Sequence, residues 1–183
     1  WFKFGQTLAE LHMTNTQQMH GWQEDNFIGL TPQPNLWRKK WSCFFAEQRI
    51  GFILQLLSEK GHTLANIDVV VESVKHLLSG HNPTASMLHG DLWQGNTGFY
   101  KNLPILFDPA FHFGDRETDL AMTELFGRFP ESFYQGYADV WPLEVDYEYR
   151  KSVYQLYHVL NHALLFGGHY IDSAKITLRN LDT

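Results

Sequence analysis

A chain of 183 residues, 44% hydrophobic and 19% charged, has a globular composition and enough length for one sizeable core, so a single domain over 1–183 is expected and a disordered polymer is excluded. A net charge of −6 argues against binding nucleic acid by phosphate neutralisation; the one compact basic cluster, Arg38-Lys39-Lys40, reads as a solvated helix face. Cys43 is the sole cysteine, which excludes an internal disulfide, and no apolar run approaches the ~20 residues of a membrane span.

The lone thiol fits a reducing cytoplasm, the expected location, and its aromatic surroundings at 41–45 predict a buried small hydrophobe. Phe4, Leu8 and Leu11 share helical spacing and predict a helix over 4–13. The polar stretch 14–35, broken by Gly21, Gly29, Pro32 and Pro34, reads as a long ordered loop. A helix over 36–60 follows, with Trp37, Trp41, Phe44, Phe45, Ile53, Leu56 and Leu57 on one broad face and Gly61 as its stop. Asn66 is the N-cap of a second helix over 67–79, which Gly80 ends.

Here the pattern changes. Ser86-Met87-Leu88 is a short apolar run, and the stretches 97–100 and 105–107 flank Lys101-Asn102 as a hairpin would. Helical spacing returns over 118–126, 131–139 and 146–166; Gly167-Gly168 breaks it before a last helix to about 181. The expected fold class is therefore α+β, mostly α: a helical body with a small β-hairpin at its centre.

The chemistry concentrates at that hairpin. His89-Gly90-Asp91-Leu92-Trp93-Gln94-Gly95-Asn96 precedes it, and Phe107-Asp108-Pro109 follows it. Phosphoryl transfer in kinases needs one Asp to orient the attacking hydroxyl and take its proton. It also needs an Asn and a second Asp to hold the ions that bridge the ATP phosphates. Asp91 and Asn96 have the kinase spacing Asp-x-x-x-x-Asn, and the hairpin can carry Asn96 and Asp108 back to one end. The bland alternative is a turn-rich hairpin whose Asp and Asn cap backbone groups.

Read more widely, the chain resembles the fructosamine (ketosamine) kinase family, within the aminoglycoside- and choline-kinase-like branch of the protein-kinase fold. The likeness is carried by Leu88 to Asn96, Phe107-Asp108-Pro109-Ala110, Gly114-Asp115-Arg116-Glu117-Thr118-Asp119-Leu120-Ala121-Met122 and Thr31-Pro32-Gln33-Pro34-Asn35. Trp41, Phe44-Phe45, Glu47-Gln48-Arg49-Ile50, Tyr154-Gln155-Leu156-Tyr157, Asn161 and Leu165-Phe166-Gly167-Gly168 extend it over essentially the whole chain. The resemblance implies ATP and Mg²⁺ as cofactors, Asp91 as catalytic base, and Asn96 and Asp108 as metal- and cofactor-binding residues. The implied reaction is phosphorylation of the sugar 3-hydroxyl of a small-molecule or protein-bound ketosamine, leading to deglycation. It departs from the family in showing no Gly-rich phosphate loop and no strand lysine. Together with the opening Trp1-Phe2-Lys3, this leads to the expectation of a C-terminal lobe whose N-terminal lobe is absent, weakly active or inactive alone.

Around these three residues, Trp93 is expected to line the sugar-amine pocket and His89 to brace the loop. By the same resemblance Asp119 braces it too. Asp115 and Glu117, beside a helix start that favours acidic charge, are candidates to face a cationic substrate amine. His158 and His162, four apart on a helix, lack a third metal ligand at recognisable spacing and read as packing or solvent. Tyr147, Tyr149, Tyr154, Tyr157 and Phe166 read as helix core. Rival readings are another small-molecule hydroxyl kinase of the same branch, a metallophosphoesterase, whose further histidine motifs are missing, and a non-catalytic fragment.

Overall fold

The computed structural model describes residues 1–181. It opens with helix α1 (Phe2–Thr14) and three short strands, β1 (Thr16–Gln17), β2 (Asn26–Ile28) and β3 (Thr31–Gln33). One long helix follows in three parts: α2 (Trp41–Phe45), a π-helical stretch (Ala46–Gly51) and α3 (Phe52–Glu59). Then come α4 (Ile67–Leu77), β4 (Ala85–Leu88), β5 (Thr97–Tyr100), β6 (Leu103–Leu106) and β7 (His112–Gly114). Helices α5 (Glu117–Leu125), α6 (Glu131–Val140), α7 (Tyr147–Phe166) and α8 (His169–Arg179) complete an α+β fold with three small sheets.

Local chemistry explains several boundaries. The Asn66 side chain accepts the Val69 N–H at 3.2 Å and caps α4. Lys101 and Asn102, both at positive φ (49° and 64°), make the tight turn whose twist suits a two-residue hairpin between β5 and β6. Gly167 and Gly168 separate α7 from α8.

One apolar cluster runs through the body. Phe4 and Leu8 of α1 meet Phe129, Phe133 and Tyr137 at α6, with the Phe4 and Phe133 rings 5.2 Å apart. Trp41, Phe45, Ile53 and Leu57 face Tyr154, Tyr157 and Leu160 of α7. Each such side chain contributes about 1.5–3 kcal/mol by leaving water.

Some expectations are corrected. The stretch 14–35 is not a plain loop: β1 pairs antiparallel with β4, and β2 pairs with β3. The long helix starts at Trp41 rather than at 36, because the chain at Arg38 bridges to His20 in extended form. Arg38-Lys39-Lys40 therefore lies before the helix. Cys43 is half-buried rather than buried, and Tyr149 faces solvent rather than the core. A further strand, β7, pairs antiparallel with β4. Among the described residues no helix is long and apolar enough to cross a membrane.

Candidate active site

Strand β4 ends at Leu88, opposite His112 of β7, and releases the chain into the loop His89-Gly90-Asp91. Gly90 has φ +83°, and a Cβ there would lie 2.1 Å from the Ala110 carbonyl oxygen, so the turn demands glycine. Asp119 of α5, 1% exposed, accepts the backbone N–H groups of His89 at 2.7 Å and Gly90 at 2.8 Å. Its Oδ2 also meets His12 Nε2 at 3.2 Å, and His12 Nδ1 meets the Tyr137 hydroxyl at 2.8 Å. Burial alone would raise the Asp119 pKa. The bond and charge of His12, with the loop amides, outweigh that and hold it below the usual carboxylate range.

Beyond the turn, Asp91 is 19% exposed at its side chain. The Asn96 amide donates to Asp91 Oδ2 at 3.1 Å and to its carbonyl at 2.9 Å. The Phe107 N–H donates to the Asn96 carbonyl at 3.2 Å, which closes the hairpin base. His89 Nδ1 accepts the Asp91 N–H at 3.2 Å, so its proton sits on Nε2, which donates to the Phe107 carbonyl at 3.0 Å. His89 thus ties the loop to the segment that carries Asp108.

Asp108 is exposed, at φ +56°, a conformation that Asp tolerates better than most side chains. Neither its carboxylate nor Asn96 Oδ1 takes a hydrogen bond from the described residues. The Asp108 carboxylate and Asn96 Oδ1 are therefore uncommitted, and Asp108 is near enough for its charge to act on Asp91. Burial, then the charges of Asp108 and Asp119, push Asp91 up to about 6 against the lowering effect of the Asn96 hydrogen bond.

The β2–β3 hairpin supports the segment after β6. Gln33 donates to the Ala110 carbonyl at 3.1 Å and accepts the Tyr157 hydroxyl at 2.7 Å, while Asn26 donates to the Phe111 carbonyl at 2.7 Å. Gln33, within the family-like run 31–35, thus staples α7 to the backbone beside Asp108.

Trp93 stands at the loop rim, 36% exposed. Its ring folds over Gly95, where a Cβ would fall 2.2 Å from the indole. Phe126 lies 6.5 Å from the Trp93 ring, and His162 lies 4.3 Å from Phe126, so an aromatic wall runs away from the loop. His158 is buried, and its Nδ1 lies 3.7 Å from Asp91 Oδ1. The i, i+4 spacing of His158 and His162 was visible in the sequence, but nothing local pointed to Asp91.

Asp115 and Glu117 are not brought to this edge, which corrects their reading as substrate-facing groups. Asp115 lies beyond β7 at the Ser86 end of its pairing with β4, away from Leu88 and the loop. It is 1% exposed and occupied by the Tyr154 hydroxyl (2.6 Å), His81 Nε2 (2.7 Å) and the Glu117 N–H (3.0 Å). Glu117, 2% exposed, holds Arg150 with two bonds of 2.7 Å. Their neighbours consume the oxygens that a substrate amine would need.

The fold is shared with two solved structures. The chain superposes on a provisionally assigned fructosamine-3-kinase from Haemophilus somnus 129PT with TM-score 0.94 and 38% identity, covering 98% of this chain and 62% of that one. A second such structure, from Thermobifida fusca YX-ER1, gives 0.86 and 33%, covering 98% and 64%. The fructosamine kinase family model matches residues 1–183, and the chain belongs to that family. It is 56% identical over 180 residues to a probable ketoamine kinase of Vibrio parahaemolyticus serotype O3:K6, covering 98% of this chain and 62% of the relative. A probable ketoamine kinase of Escherichia coli strain K12 is 48% identical over 180 residues, covering 98% and 63%. The chain thus spans less than two thirds of the length of these relatives.

Proposed function

We propose that the protein containing this chain transfers phosphate from ATP to the sugar 3-hydroxyl of ketosamines, carried on small amines or protein lysines. Release of the unstable phosphorylated adduct then deglycates the amine. The observation that carries the reading is the Asn96 amide bonded to the half-buried Asp91 carboxylate at the hairpin base, with Asp108 near enough for its charge to raise the Asp91 pKa. Family membership supports it.

In this reading Asp91 orients the attacking hydroxyl and accepts its proton, for which burial has raised its basicity. The donor set suits a hard divalent cation such as Mg²⁺, with Asn96 Oδ1 and Asp108 as its protein ligands. Such an ion supplies charge neutralisation at the transferring phosphate. Asp119 and His89 hold the loop at fixed depth, and Trp93 offers its exposed ring to the sugar-amine part of the substrate. The chain is the catalytic-loop lobe of a protein-kinase-like fold, and the grip on ATP is completed by an N-terminal lobe outside it. The lobe alone turns over weakly or not at all. Neither nucleic acid nor membrane enters this scheme, and the setting is cytoplasmic.

The test is phosphorylation of a synthetic fructosamine and ribulosamine by the protein at the full length of its relatives, with Mg²⁺-ATP, followed by ³¹P NMR. A sugar 3-phosphate is expected. Turnover of choline or an aminoglycoside with none of any ketosamine would overturn the substrate class.

A further inference from the structure

His158 occupies an unusual position. It sits on α7 with its side chain 5% exposed, and its Nδ1 is buried without a hydrogen-bond partner. Buried polar atoms without partners are rare in folded proteins and call for a specific explanation. Asp91 Oδ1 lies 3.7 Å from this nitrogen. Oδ1 is also the half of the carboxylate that Asn96 leaves free, since Asn96 bonds to Oδ2.

We infer that His158 is a positioning residue for Asp91: an Nδ1–H directed at Oδ1 holds the carboxylate from the α7 side, while Asn96 holds it from the hairpin side. The inference rests on the phosphotransfer reading above. A separation of 3.7 Å is too long for a hydrogen bond in the free protein. Hydrogen bonds of catalytic groups often tighten only when substrate is bound, and a carboxylate rotation of under about 1 Å closes this gap.

The protonation state supports the geometry. Burial, then the neighbouring His162, lower His158 to about 3, so the ring is neutral and carries one N–H. A lone pair on Nδ1 would face a carboxylate oxygen, so the hydrogen belongs on Nδ1. His162 does not compete for it, because its own Nδ1 is paired with the His158 carbonyl at 2.9 Å.

Two substitutions separate this role from simple packing. In His158→Asn the amide can occupy the place of Nδ1; in His158→Gln it is carried one bond further, toward the place of Nε2. In the full-length protein, with whichever hydroxyl acceptor the wild type phosphorylates, His158→Asn should keep kcat within about threefold. His158→Gln should lose roughly 10–100-fold in kcat with KM for Mg²⁺-ATP unchanged, the scale of a small misplacement of a reacting group. In an Asp91→Asn background the same Gln substitution should cost nothing further. Equal kcat for the two variants, or full additivity with Asp91→Asn, would overturn the inference. A readout independent of activity is the ¹⁵N spectrum of the imidazole: neutral with the proton on Nδ1 is expected, and the Nε2–H tautomer overturns the proposal even in a protein that fails to fold as either variant. A wild type active only on a non-ketosamine alcohol refutes the substrate class and leaves the His158 comparison intact.

Discussion

His12 and Asp119 lie 107 positions apart and meet at 3.2 Å in the interior, with side chains 0% and 1% exposed. Through Asp119 the first helix of the chain reaches the two backbone amides that open the loop carrying Asp91. Asp119→Ala leaves those amides and His12 without their acceptor. It should cost about 3–5 kcal/mol in urea unfolding, the range for breaking a buried pair. His12→Leu leaves both amides satisfied and should cost less, about 1–3 kcal/mol. Equal losses would mean that the loop amides find other acceptors.

Asp91→Asn and Asp108→Asn should fail in different parameters. The first removes the proposed base and should lower kcat about 10²–10⁴-fold with little change in ATP affinity. The second replaces a carboxylate by a poorer ligand for a hard cation and should raise the Mg²⁺ and ATP concentrations needed. Steady-state kinetics with varied Mg²⁺ and ATP in the full-length protein distinguishes them. Near-wild-type kcat in Asp91→Asn would remove Asp91 from the role of base.

Stability should depend on pH through His81. Burial lowers its pKa, but the hydrogen bond and charge of Asp115, with help from Glu117 against Arg150, raise it above 6.5 overall. Asp115 is held below its usual value by the same contact, so the two shifts agree on an ion pair. A folded-state pKa raised above the unfolded value gives stability that is complete below about 6.5 and fades as pH climbs through the folded value. Urea midpoints taken from pH 5.5 to 9 should therefore fall on the alkaline side, and His81→Gln should flatten that part of the curve. An unchanged slope in the variant assigns the dependence elsewhere.

Gly95→Ala tests the rim. The new methyl would press into the Trp93 indole at 2.2 Å, so the ring must swing outward. The expected outcome is an unchanged fold by circular dichroism, altered tryptophan emission and a several-fold higher KM for the ketosamine. Unaltered KM would place the sugar away from Trp93.

Much of this architecture is legible locally. The Lys101-Asn102 turn, the Asn66 cap and the Gly167-Gly168 break each act within a few residues, and the sequence shows them directly. The spacing of Asp91, Asn96 and Asp108 is legible because one short hairpin joins them. What escapes is settled by distant partners. Strand β1 is two polar residues long and exists because β4, some 70 positions on, pairs with it. The acidic run at 115–119 looks like a solvated helix start, yet His81, Arg150 and Tyr154 arrive from other elements to close it in. His158 is invisible for the same reason: its meaning lies across the fold at Asp91.

The π-helical stretch Ala46–Gly51 fixes chain length as firmly as any side chain. A π turn is an α turn holding one extra residue, so it already absorbs one residue without turning its flanks, whereas one more residue inserted there would rotate one flank against the other by about 100°. Either Trp41, Phe44 and Phe45 or Ile53 and Leu57 would then turn out of the interior. Arg49, whose guanidinium holds the Pro34 carbonyl and the Asn35 side chain, would lose its register with them. Single-residue insertions between 46 and 51 should therefore be purged from a library selected for folded protein, while insertions in the exposed turn at Gly61-His62 survive.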